Sequence, residues 1–321
     1  MDKEVARTLL FLALVWCGVA QATPSYSPSD VFSGAEYANK LAGEILASKG
    51  VQTGPVPRSM ERTAKPMHVY ELSVSVLAEL YQYALKNKRR PPPMAISTPI
   101  KYTPTDVYYL NQLVVNNLEE IYQDTGNTLD FSRKSHSGKT PSQVYQEIFA
   151  LYYRLNLMNG KNKVSPNEVY SHIYRVTEDL QDSLLTLSNR LDDEDKQRML
   201  VTATYGMHPD ATTLSPLESG KKPIDVLERA LVVRGKLNQL RRKYALPEIK
   251  RPDSGSFGKV RPIDVFLQTQ FIIAELNLLK MPMDINSTTN SPKPVTGKTP
   301  SDVYQQMKYV EYMLNRVLAV L

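Results

Sequence analysis

Histidine is the side chain best suited to acid–base or metal chemistry near neutral pH, and this chain has four: His68, His136, His172 and His208. None falls in a HExxH or comparable ligand spacing, so neither a metal nor a cofactor is expected. His172 reads as a solvated or core-edge imidazole, and His68 fills a helix-start position that is otherwise acidic. The acidic run Asp192-Asp193-Glu194-Asp195 lacks the alternating ligands and glycine of a calcium loop. It reads as the start of a short helix through about Thr204. Gly255-Ser256-Phe257-Gly258-Lys259 has the composition of a phosphate loop, but Val260 stands where such a loop needs a hydroxyl, so it is read as linker. No catalytic residue is therefore assigned.

Two other groups could make a binding surface. Lys86, Lys88, Arg89 and Arg90 close one helix, and Arg241, Arg242 and Lys243 close its counterpart. Cations there complement the negative end of a helix dipole. Together they form a candidate anion site for envelope polymers or lipid headgroups. The chain also carries 19 tyrosines against one tryptophan. Tyr152, Tyr153, Tyr309 and Tyr312 fall on equivalent helices, either buried with bonded hydroxyls or lining an aromatic groove for sugar, peptide or small ligand.

The elements that position these residues share one opening phrase, cap-Pro-x-acid-Val-aromatic. It recurs with its proline at Pro28, Pro66, Pro104, Pro141, Pro166, Pro223, Pro262 and Pro300. Each part suits a helix N-terminus. Ser27, Thr103, Thr140, Ser165 and Thr299 are N-cap residues whose hydroxyls satisfy an orphan N–H. Proline at the first helical position loses no bond. The acid at the third position bonds back to the cap. Beyond each valine, apolar residues recur at alternating spacings of four and three, as in Val303, Met307, Val310, Leu314 and Val317. That is the stripe of a helix in a bundle. The fold class expected is all-α, with eight proline-initiated helices and long extended linkers.

A higher order is visible in the spacing. Gly138-Lys139-Thr140-Pro141-Ser142 is identical to Gly297-Lys298-Thr299-Pro300-Ser301, and the unusual Lys65-Pro66 start matches Lys222-Pro223. The chain reads as a tandem duplication of a four-helix unit, residues 23–160 and 161–321, with an insertion at 191–222 in the second. The proline-rich linkers are long enough to run back along a whole helix, so the helices of one unit can all point the same way. The short junction between Gly160 and Pro166 predicts an antiparallel hairpin there and a pseudo-two-fold relation between units.

Residues 1–22 read as a secretory signal peptide: Lys3 and Arg7 precede the apolar run Leu9–Ala20, and Ala20-Gln21-Ala22 offers small residues for cleavage. The only cysteine and tryptophan, Cys17 and Trp16, lie inside it. The mature chain then has no thiol or disulfide and relies on an apolar core. An exported location follows, periplasmic or extracellular, with no transmembrane segment. Export and a net charge of only +6 disfavour nucleic acid as a partner. The function expected is an exported, non-catalytic helical binding or scaffold protein whose partner is a protein or envelope component. Two alternatives are an envelope-associated protein using the paired basic clusters, and an enzyme using helix carboxylates and tyrosines.

Overall fold

The computed structural model describes residues 25–57, 59, 61–126, 128, 130–161, 163–204 and 217–321. The signal-peptide reading, His208 and the insertion after Thr204 as far as residue 216 lie outside them. All regular structure among the described residues is helical apart from one isolated antiparallel bridge, Ser97 with Thr289. The α-helices are α1 (Pro28–Ser48), α2 (Pro66–Lys86), α3 (Pro104–Gln123), α4 (Pro141–Met158), α5 (Pro166–Ser188), α6 (Glu194–Thr204), α7 (Pro223–Lys243), α8 (Pro262–Lys280) and α9 (Pro300–Val320). None is long and apolar enough to cross a membrane.

Every proline of the repeat opens its helix. The hydroxyls of Ser27, Thr103, Thr140, Ser165 and Thr299 accept from the backbone N–H of Asp30, Asp106, Gln143, Glu168 and Asp302. The reverse bond, from cap N–H to the third residue's side chain, is present in all eight helices. His68 makes it through Nδ1, which accepts from Lys65 N at 2.8 Å, and Asp225 and Asp264 accept from Lys222 N and Arg261 N at 2.7 and 2.8 Å. Bonds from Ser27 hold the Asp30 carboxyl below the usual carboxylate range. Thr299 does the same for Asp302 against the opposing effect of burial.

The helices form two sets of four. Around the first set the packing order is α1, α3, α2, α4, closing back on α1; around the second it is α5, α8, α7, α9, closing on α5. Matching helices by sequence, the two rings are the same. Pro28, Pro66, Pro104 and Pro141, each with the valine three residues on, line one small apolar dimple; Pro166, Pro223, Pro262, Pro300 and their valines line another. All four helices of a set therefore start at one end and run parallel, and the linkers carry the chain back.

Specific bonds recur at matching positions. Ala64 N donates to Ser142 Oγ and Lys221 N to Ser301 Oγ, both at 3.1 Å. Lys139 N donates to Ser29 Oγ at 3.0 Å and Lys298 N to Asn167 Oδ1 at 2.7 Å. Lys139 lies over the Phe32 ring as Lys298 lies over Tyr170, at 4.1 and 4.3 Å. The alanine-rich face of α1 allows a close approach: a Cβ added to Gly34 would lie 2.7 Å from Asn111 Nδ2 on α3.

Two expectations are corrected. α4 and α5 do not pack along their lengths, so the junction makes no hairpin. Asn159 and Lys161 instead dock on Glu79 of α2. The sets meet mainly through α2 against α8. A two-fold axis would demand an equal contact of α7 with α3, which is absent. In the second set α6 packs on α5 and α9, with Tyr309 Oη donating to Ala203 O at 2.7 Å. The acidic run caps this helix, since Asp193 Oδ1 accepts from Asp195 N and Lys196 N at 3.0 and 3.1 Å.

Candidate functional site

Helix α8 is apolar on every side, which places it inside the protein, yet it carries Gln268, Gln270, Glu275, Asn277 and Lys280, all buried. Buried polar groups need partners, and these find them across the seam between the two sets. Arg234 of α7 donates through Nη1 to Glu61 Oε1 and Gln268 Oε1, both at 2.7 Å, and its Nη2 lies 3.0 Å from Glu275 Oε1. Its guanidinium also sits 4.6 Å from the centre of the Phe271 ring. Glu71 of α2 accepts from Asn277 Nδ2 at 3.0 Å and lies 3.6 Å from Arg175 Nη2 of α5. Lys280 pairs with Asp179 and donates to Ser287 O at 2.9 Å, while Thr289 Oγ1 donates to Asp179 Oδ2 at 2.6 Å.

Four carboxylates (Glu61, Glu71, Asp179, Glu275) thus face four cations (Arg175, Arg234, Arg241, Lys280), none more than 3% exposed. The charges balance, as a buried ionic cluster requires. Burial pushes Glu71, Asp179 and Glu275 above the usual carboxylate range.

Beside this network a groove of about 560 Å³ opens between the sets, a volume typical of small-molecule sites. One side is formed by Ser75, Glu79 and Lys86 of α2 with the junction residues Asn159, Lys161 and Lys163. Ser165, Glu168, Ser171 and His172 at the start of α5 also line it, as do the apolar Met94, Pro292, Pro294 and Val295 of two linkers. Lys161 Nζ bridges Glu79 at 2.8 Å and Glu168 at 3.3 Å. Burial raises the Glu79 carboxyl, and the two acids raise Lys161 against its own desolvation.

His172 is 5% exposed, and its orientation is set by a chain of bonds. Ser75 Oγ donates to Gln270 Oε1 at 2.9 Å, which leaves the Gln270 amide to donate to His172 Nδ1, also at 2.9 Å. The ring proton then resides on Nε2, at the groove. Burial, reinforced by Arg175 and Lys161, holds this imidazole well below its ordinary pKa and so neutral. A larger depression of about 810 Å³ lies on α7. It is formed by one helix and its own linker, and its polar groups already pair there, as Asn238 does with Ile249.

The sequence candidates separate in space. Arg241 is 1% exposed and donates through Nε to Pro247 O at 2.7 Å, so the second basic cluster offers only Arg242 and Lys243 to solvent, with Arg242 paired to Glu248. In the first cluster Arg89 pairs with Asp124, Lys88 and Arg90 are exposed, and Lys86 alone reaches the groove. The clusters are therefore not a matched pair. Tyr152 is buried in a stack on Phe266, rings 4.5 Å apart, and Tyr309 is buried against α6; only Tyr153 and Tyr312 are half-exposed. No shared aromatic groove forms from these four, because α4 and α9 each turn one tyrosine into the core.

In sequence, Arg175, Arg234 and Glu275 draw no assignment, because a charged residue on an isolated helix is ordinarily solvated. The available signal was α8 itself, whose polar residues sit in a helix with no hydrophilic side.

Comparison with protein-family models, curated proteins and solved structures finds no match to this chain.

Proposed function

We propose that this is an exported, non-catalytic helical binding protein whose ligand site is the seam groove, in a scaffold that arose by duplication of a four-helix unit. The matched rings and the recurring bonds of Ser142 and Ser301 support the duplication. The observation that carries the binding reading is the groove, built from both sets and walled by elements that the buried ionic network holds in register. Its two carboxylates, Glu79 and Glu168, are both engaged by one lysine, Lys161.

A thermal-shift screen of the mature protein against neutral, cationic and anionic small molecules and envelope fragments tests this. At least one class should raise the melting temperature, and Ala78→Trp, which fills the groove, should abolish the effect. Shifts that persist in Ala78→Trp, or no shift from any class, contradict it. A second reading, an enzyme, is favoured by the presence of both carboxylates and His172 in one groove. Turnover lost in Glu79→Gln would select it.

A further inference from the structure

The lining of the groove says what kind of ligand it takes. Four lysines, Lys86, Lys161, Lys163 and Lys293, face two glutamates, Glu79 and Glu168. Lys161 is occupied by both glutamates, and Lys293 reaches outward to Glu178 at 2.9 Å. Lys86 donates only to a backbone carbonyl, Asn159 O at 3.1 Å, and Lys163 makes no ion pair among the described residues. Among the described residues, two ammonium groups therefore stand without a counter-ion.

The first turn of α5 also opens onto the groove, with its positive dipole end. An independent feature points the same way. His172 is nine-tenths buried, its Nδ1 is committed to Gln270, and its Nε2–H has no acceptor among the described residues. Nε2 itself stays reachable from the groove, so a carboxylate there would replace water with a charge-assisted hydrogen bond. The same groove is also lined by the apolar side chains of Met94, Pro292, Pro294 and Val295.

We propose that the seam groove binds a small monocarboxylic acid with an apolar body. Its carboxylate accepts from His172 Nε2–H and pairs with Lys86 and Lys163, and its hydrocarbon portion lies against Met94 and the Pro292–Val295 linker. This rests on the reading of the groove as the ligand site. Desolvating the carboxylate is offset by the charge-assisted bonds, and the apolar body contributes through buried area.

The test is isothermal titration of the mature protein with octanoate, dodecanoate, acetate, 1-octanol and octylamine. Octanoate or dodecanoate should bind at one site, at least about tenfold tighter than octanol, the factor expected for one charge-assisted hydrogen bond, and tighter than acetate, which lacks the apolar body. Tighter dodecanoate assigns a lipid-derived acid and tighter octanoate a short one; both support the proposal. Lys163→Gln, at an exposed linker position that leaves the fold intact, and His172→Gln should each weaken binding about tenfold, whereas Arg242→Glu should not. Octanol or octylamine binding more tightly, with the effect lost in Ala78→Trp, overturns the acid while keeping the groove as a site. Absence of acid binding, or acid binding unchanged in Lys163→Gln and His172→Gln, overturns the proposal.

Discussion

At the start of each helix set, four prolines and four valines close the core with apolar contacts, whereas at the seam four carboxylates and four cations fill the space between α2, α5, α7 and α8. The two regions differ in how far apart their determinants lie. A collar is assembled from caps whose partners are three residues apart, such as Thr299 and Asp302. A seam bond such as Gln268 to Glu61 joins residues 207 apart, and Arg234 to Glu61 joins residues 173 apart. Collar geometry is thus locally encoded, while the seam exists only once both sets are in place.

The energetics differ in kind as well. Losing a cap exposes an N–H to water, but losing a seam cation strands a charge in the interior. Arg234→Met leaves Glu61 and Glu275 without their main partner, and urea unfolding should show a loss of about 3–5 kcal/mol. Adding Glu61→Gln and Glu275→Gln should recover stability, because no uncompensated charge then remains. If the single and triple variants prove equally unstable, charge balance in the network does not hold the two sets together.

Acid sharpens the same contrast. His68 is stacked on Phe271 at 4.1 Å and, like His172, is held well below its ordinary pKa by burial. A depressed histidine contributes stability that is present above its unfolded value of 6.5 and is lost as pH falls from there toward the folded value. Between pH 6.5 and 5, each should cost up to about 1.4 kcal/mol per pH unit. His68→Gln keeps the cap bond, as Gln143 does for Thr140, and should remove its share of that slope in urea titrations at successive pH values. An unchanged slope in this variant would show that the ring is already protonated in the fold. The collar acids respond lower on the scale, since Asp30 and Asp302 lose their contribution only as pH falls through their lowered values.

The smallest effects belong to the caps. Thr299→Ala should cost about 1 kcal/mol. Lys222→Ala should cost little, because the Lys222 side chain makes no capping bond. Equal losses in thermal melts would contradict the cap assignment.

This division also marks what could be read beforehand. The eight helix starts were legible to the residue, as was the short helix ending at Thr204, because caps and prolines act within a few positions. Linker length allowed a parallel direction within each set but did not fix it; the prolines and valines that share one end of each set do. The partnering of Arg175, Arg234 and Lys280 was not legible, since an isolated helix with those residues looks solvated, and the burial that changes their meaning comes from α8 docking against α2. Arg241 misled for the same reason: a cation at a helix C-terminus normally faces water, but here Pro247 turns the linker over it. The four tyrosines failed as a groove because helix position alone does not say which of two neighbours points inward.

The link from Ser75 through Gln270 to His172 is where the seam network becomes a site, and it can be seen directly. In ¹⁵N-labelled-histidine spectra of the protein at pH 6, assigned with His172→Gln, the His172 ring should remain neutral with its proton on Nε2. A protonated imidazolium, or the proton on Nδ1, would mean that the seam does not aim a donor into the groove.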